Sequence, residues 1–198
     1  MVTALDAKTA LVLIDLQKGI MGMATAHPTT GVIEKSAQLI DAFRSKGLPV
    51  VIVNVNPLGA KWTQSRVDTP GMPKGEEAIK QARAGMEAGG FFDIVPEIKT
   101  TADDIFITKT SWGAFYGTAL DEELQKRGVT GIVLAGVATS IGVEGTARDA
   151  SVRGYNLTFA TDAMTDMHQS AHDHSISLIF PRIGETGTTE EIIKKMAE

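Results

Sequence analysis

The sequence predicts an α/β fold: a six-stranded parallel sheet with helices on both faces, formed by a single domain over residues 1–198. Three observations predict it. Runs that are apolar throughout, rather than alternating, recur along the chain and read as strands buried on both faces. Stretches with helical spacing separate these runs, and such alternation builds parallel sheets. A chain of 198 residues, 43% hydrophobic and 22% charged, has the size and composition of one globular domain with a full core.

The first strand is Thr9-Ala-Leu-Val-Leu-Ile14, ended at once by Asp15. Ile20 to Thr30 mixes Met, Ala, Gly and Pro28 and reads as a loop. A helix is predicted from Gly31, where Ile33, Ala37, Ile40 and Phe43 repeat at helical spacing and Gly47 signals the stop. Pro49-Val-Val-Ile-Val53 is the second strand, followed by Asn54-Val-Asn56. Leu58 to Gly90 is the least regular region, with a short helix over Gly75–Met86; a connection this long is more often functional cover than idle loop. The third strand, Asp104-Ile-Phe-Ile-Thr108, ends in Lys109. Thr118 stands as an N-cap with Asp121 in the capping-box place, and Leu120 and Leu124 fall on the buried face.

The fourth strand, Ile132 to Ala135, runs through the turn Gly136-Val-Ala-Thr-Ser140 into a helix that keeps Val143, Ala147 and Ala150 on one side. Asn156-Leu-Thr-Phe-Ala160 is the fifth strand, with Thr161-Asp162 at its end. A helix over Ser170–Phe180 turns Ile176, Ile179 and Phe180 inward, and a short sixth strand lies around Gly184 to Thr186. Thr189 and Glu191 cap a final helix that runs to Ala197.

Composition excludes several function classes. The formal net charge of −5 argues against a nucleic-acid groove, which wants a clustered positive field. Cysteine is missing from the sequence, so disulfides, thiolate metal sites and a cysteine nucleophile are excluded. No apolar run approaches the ~20 residues that span a bilayer. The start, Met1 to Lys8, lacks the basic stretch and long apolar region of a secretion signal. The expectation is a cytoplasmic protein with no membrane or nucleic-acid partner. Neither G-x-G-x-x-G after the first strand nor G-x-x-x-x-G-K-[ST] occurs, so no nucleotide cofactor is expected. His168 and His172 stand four apart, but surface histidines are far commoner than ligands, and no metal is predicted.

In an open parallel sheet, ligands bind above the C-terminal strand ends, and three of these ends carry chemistry. Asp15 alone reads as a solvated cap as readily as an acid, and Lys109 alone as a lysine reaching for water. On neighbouring strand ends the two would pair and hold each other's charge in a partly buried pocket. The turn from Gly136 to Gly142 opens a helix, whose first N–H groups point at whatever lies above the strand. A carboxylate, an ammonium and N–H donors on one rim make an acid–base site with an anion cradle.

Four motifs carry a family resemblance: Leu11-Val-Leu-Ile-Asp15-Leu-Gln17, then Ile107-Thr-Lys109-Thr-Ser-Trp112-Gly-Ala-Phe115, then Gly136-Val-Ala-Thr139 with Thr146-Ala-Arg-Asp149-Ala, and Gly184-Glu-Thr-Gly-Thr-Thr-Glu190. In this order and spacing the chain resembles the isochorismatase-like hydrolases, the cysteine hydrolase superfamily. The resemblance implies a Rossmann-like three-layer α/β/α architecture, a homo-oligomer (dimer or tetramer), no cofactor, and an Asp–Lys–Cys triad. It further implies an oxyanion site beside a cis peptide joining Val137 to Ala138, with Ala138 and Gly142 as donors.

The resemblance breaks at the nucleophile. Gly142 stands where the cysteine would be, and glycine cannot form an acyl-enzyme. Ser140 and Ser111 have little claim to replace it. One branch, which hydrolyses the vinyl ether of isochorismate and releases pyruvate, resembles this chain in having glycine there. It needs no nucleophile: an acid protonates the methylene carbon and water traps the oxocarbenium ion. By that analogy Asp15 is the acid, Lys109 holds the acid and a substrate carboxylate, and Gly142 leaves room that a side chain would fill. The candidate substrate-binding residues are Gln17, Asn56, Arg66, Trp112, Ala138 and Thr139; Asn56 stands where that branch has Gln, and Trp112 where it has Tyr. The expected protein is an ether-bond hydrolase acting on a small carboxylate-bearing molecule. A catalytically silent binding or assembly protein and a non-covalent amide hydrolase are the alternatives that the sequence leaves open.

Overall fold

The computed structural model describes residues 2–58, 60–61 and 72–197. Its strands are β1 (Thr9–Ile14), β2 (Val50–Val55), β3 (Ile105–Lys109), β4 (Gly131–Val137), β5 (Asn156–Thr165) and β6 (Glu185–Gly187). They form one sheet in the order β3-β2-β1-β4-β5-β6, with every neighbouring pair parallel. The helices are a single turn α1 (Lys18–Met21), then α2 (Thr29–Ser45), α3 (Glu76–Ala88), α4 (Leu120–Lys126), α5 (Glu144–Val152), α6 (Gln169–His174) and α7 (Thr189–Met196). Among the described residues, no helix is long and apolar enough to cross a membrane.

The chain starts at the centre of the sheet and moves outward through β2 and β3. It then returns to the other side of β1 with β4 and moves outward again. Strand order therefore reverses between β1 and β4, which opens a crevice above their C-terminal ends. Both central strands are buried along their whole length. Ala10, Val12 and Ile14 join Leu120 and Leu124 of α4 and Ala147 and Ala150 of α5 in one core; Leu11 and Leu13 join Leu39 and Phe43 of α2 and Ile192 of α7 in the other. This is the three-layer arrangement expected from the apolar runs. α3 belongs to neither core: none of its residues is buried, and Ile79, Ala82 and Met86 form a half-buried stripe on one face.

Several local expectations are corrected. Pro28, with φ −57, leads into α2 two residues earlier than predicted. Thr118 does not stand at the N-cap of α4; Ala119 does, and Asp121 accepts from the Tyr155 hydroxyl at 2.8 Å instead of closing a capping box. The box at the last helix belongs to Thr188 and Glu191. Thr189 is buried one residue further on, where its N–H and hydroxyl both donate to Asp162. The helix predicted over Ser170–Phe180 divides into α6, a π-helical turn Ser175–Ile179 and a 3₁₀ turn Phe180–Arg182. Pro181 has no N–H to continue the helical ladder, and Phe180 instead stacks on Phe159 with ring centres 3.9 Å apart. β5 continues five residues past Ala160, to Thr165.

The close approach of β4 to β1 depends on Gly136. Its φ is 117°, and a β-carbon there would stand 2.1 Å from the Ile14 carbonyl oxygen. Gly154 has a comparable φ of 86° but faces open space, so it isolates the conformational part of the cost. Gly154→Ala should cost about 1 kcal/mol, whereas Gly136→Ala should cost about 3 kcal/mol or more because backbone must move. Urea unfolding midpoints of the two variants check this; equal shifts would contradict it.

Candidate active site

Asp15 leaves β1 with φ 54, in a region that aspartate tolerates better than most side chains. Its N–H still donates to the Val53 carbonyl at 2.9 Å, so strand pairing is kept while the chain turns. Lys109 ends β3, on the far side of β2, and only a long side chain can span that strand. Its Nζ donates to Asp15 Oδ2 at 2.8 Å, with the two side chains 2% and 7% exposed. The Ser111 carbonyl accepts a second, longer bond from the same ammonium at 3.3 Å. Asp15 Oδ1 is buried and has no protein partner.

Burial pushes the Asp15 carboxyl up to about 6, against the opposing charge and hydrogen bond of Lys109. Lys109 moderates the shift, but the dry surroundings win.

A cavity of 620 Å³ opens over the pair, and Trp112, Val137, Ala138 and Gly142 also line it. A larger one, of 710 Å³, lies around Arg44 and Asp104 on a different part of the surface, and none of the predicted site residues lines it. The Val137–Ala138 peptide bond is cis, and the chain then enters a π-helical turn, Thr139–Val143. Two residues hold that turn from behind. Asp166, just past β5, accepts from both the N–H and the hydroxyl of Ser140, at 2.7 and 2.8 Å. His172 shares a 2.8 Å hydrogen bond through Nδ1 with the Thr139 hydroxyl; burial and the neighbouring His27 hold its pKa below the usual histidine value.

Asp15, Lys109, Gly142, Trp112 and Ala138 thus share one cavity. Trp112 stands at its exposed side, 53% accessible. The other candidates are placed elsewhere. Gln17 is fully buried and pairs with backbone: Oε1 accepts from the Val55 N–H at 2.7 Å, and Nε2 donates to the Val55 carbonyl at 3.1 Å. It ties the start of α1 to the end of β2 and has no face toward a ligand. Asn56 turns its Oδ1 back to the Leu58 N–H at 3.2 Å, and the wall at this point is made by Val55, Pro57 and Leu58. Thr139 is buried behind the turn, on His172. Arg66 lies outside the described residues.

The expectation that Gly142 leaves an open space is also corrected. A β-carbon there would stand 2.7 Å from Ile14 Cγ2 and 3.3 Å from Asp15 Oδ2. The end of β1 already fills that place, so glycine serves close packing of the turn on β1 rather than a vacancy.

Asp166 and His172 escape sequence reasoning. Asp166 repeats the signal of Asp15, a carboxylate just after a strand, but the polar pair Thr161-Asp162 hides the second half of β5. Nothing in the sequence links His172 to Thr139.

Residues 9–191 match the family model of the isochorismatase domain. The chain is 40% identical, over 190 residues, to the uncharacterized isochorismatase family protein YwoC of Bacillus subtilis (strain 168), covering 96% of this chain and 94% of that one. It is 27% identical over 213 residues to the ureidoacrylate amidohydrolase RutB of Variovorax paradoxus, covering 96% and 81%. Among solved structures, an isochorismatase family protein from Burkholderia thailandensis superposes over 100% of both chains with a TM-score of 0.86 and 32% identity.

Folding raises the Asp15 pKa, so its contribution to stability is full below about pH 4 and is lost as pH rises through about 6. A ¹³C-detected titration of this carboxyl should give a midpoint of about 6, and Lys109→Met should move it higher by removing the cation. A wild-type midpoint near the ordinary aspartate value would contradict this account of the pocket.

Proposed function

Because this chain belongs to the isochorismatase family of hydrolases, we propose that it hydrolyses an enol ether, or a similarly acid-labile bond, without a covalent intermediate. The observation that carries the reading is the Asp15 carboxyl: buried, held by Lys109 through one oxygen, its pKa raised to about 6. It lines the cavity beside Gly142, where a β-carbon would stand 2.7 Å from Ile14 Cγ2.

In the proposed reaction the protonated Asp15 gives its proton to the terminal carbon of the enol ether. The electron pair of the C=C bond forms the new C–H bond, leaving an oxocarbenium ion. Water adds to that ion at the carbon bearing the ether oxygen, and its extra proton returns to the Asp15 carboxylate. The hemiketal then collapses to a carbonyl compound and an alcohol, so one water is consumed and no acid is used up. Lys109 steadies the carboxylate between the two proton transfers, and N–H groups at Ala138 and Gly142 bind developing charge or a carboxylate. With a pKa of about 6, roughly a tenth of the enzyme carries the acid form at pH 7, which suits a catalyst that must both give and regain a proton.

Amide hydrolysis is a second reading, favoured by the 27% identity to an amidohydrolase. There Asp15 must act as a carboxylate that activates water, and the pH dependence inverts.

Product release from isochorismate (pyruvate) and from simple alkyl vinyl ethers (acetaldehyde) tests the proposal. The rate at limiting substrate should be flat below about pH 6 and fall about tenfold per unit above it. Asp15→Asn should lose at least about 10²-fold. A profile that rises through pH 6 on an amide substrate supports the second reading; wild type without activity on any enol ether overturns the first.

A further inference from the structure

The walls above the acid and its lysine carry a feature that the proposed chemistry does not require. Four of the chain's eight methionines, Met23, Met72, Met86 and Met167, line this one cavity, with Phe91 and Trp112 beside them. Methionine is unbranched and polarizable, and it moulds to apolar shapes of more than one kind. α3 supplies Ala82 and Met86 from its half-buried stripe. A helix that buries none of its own residues in the protein core offers that stripe to the cavity instead.

Charge in the wall is sparse. Among the described residues only Asp15 and Lys109 are ionisable there, and they are paired with each other at 2.8 Å. One anionic oxygen can share Lys109 and the turn. Among the described residues, a second or third anionic group on the same ligand would meet no further cation. The volume of 620 Å³ lies in the middle of the range, ~300–1,000 Å³, of pockets that enclose drug-sized ligands.

We infer that the substrate is a molecule with a predominantly apolar body, alkyl or aryl, bearing a small polar or anionic head at the bond to be cleaved. This rests on the reading that the cavity over Asp15 and Lys109 is where reaction occurs. The head lies on Lys109 and the turn, and the body lies among the methionines under α3.

Binding without turnover tests it. Straight-chain monocarboxylates from butanoate to decanoate are titrated into the full-length protein by calorimetry, with succinate as the compact dianion. Affinity should rise about three- to fourfold per added methylene until the cavity is filled, and succinate should bind more weakly than hexanoate. Ala82→Asp should flatten this dependence on chain length, and Ala82→Trp should shift the filling point to a shorter chain. Ala82 is only half-buried on a helix outside both cores, and unchanged urea midpoints verify that both variants fold. A flat series in wild type, succinate equal to octanoate, or an Ala82→Asp series as steep as wild type would each overturn the inference. The two proposals fail separately. A steep series without Asp15-dependent turnover removes the reaction and leaves an apolar binding site; Asp15-dependent turnover with a flat series removes only the substrate class.

Discussion

A carboxylate and an ammonium 2.8 Å apart attract by about 6 kcal/mol at an effective dielectric near 20, yet removing each from water costs several kcal/mol. In this protein the second effect prevails. The Asp15 pKa rises from 3.8 to about 6, a net bias of about 3 kcal/mol against ionisation even with Lys109 in contact. The pair is therefore close to neutralising itself. It is held there because three strands fix its ends: β1 positions the carboxylate, β3 the lysine, and β2 lies between as the barrier that the lysine spans. Small backbone shifts would let water reach Oδ1, which has no protein partner, and the acid would revert to an ordinary aspartate.

Much of the scaffold exists to prevent such shifts. Gly136 lets β4 close on β1. Gln17 uses its amide as one more rung on β2. Asp166 and His172 grip the turn that follows β4 by two adjacent residues, Ser140 and Thr139, so its opposite side, Ala138 and Gly142, stays against the cavity. The crevice at the switch point between β1 and β4 thus has a rigid floor. Its outer wall, α3, is tied far less firmly.

The sheet is legible in the sequence because its central strands are apolar on both faces, and a run such as Leu11–Ile14 leaves no polar side to turn toward water. Asp15 stands out for the same reason: a charge at the end of such a run must be accommodated by something; Lys109 instead ends an edge strand whose Phe106 and Thr108 are exposed. Gln17 shows the limit. An amide after a buried strand looks the same whether it meets a ligand or a backbone 38 residues on. Thr188 and Thr189 differ by one position in role, cap against buried donor to Asp162, and adjacent threonines do not announce which is which. The second half of β5 is hidden because Asp162 falls mid-strand, where an apolar pattern cannot admit it. The methionine wall is assembled from positions 23, 72, 86 and 167, which are ordinary singly and acquire meaning only when the fold brings them together.

The apolar wall and the perturbed acid are two consequences of one condition. Side chains that exclude water from the cavity also deprive the Asp15 carboxylate of solvation, so burial outweighs Lys109. An apolar ligand body extends that condition, because it displaces the remaining water without bringing charge, and desolvation favours the protonated form further. A polyanion would carry its hydration into the cavity and so weaken the desolvation that raises the Asp15 pKa. A cationic ligand would stabilise the carboxylate and remove the acid. A ligand that is largely apolar keeps the proton on Asp15 while filling the space above it. On the proposed reading, binding of the substrate body and retention of the catalytic proton are therefore the same physical event.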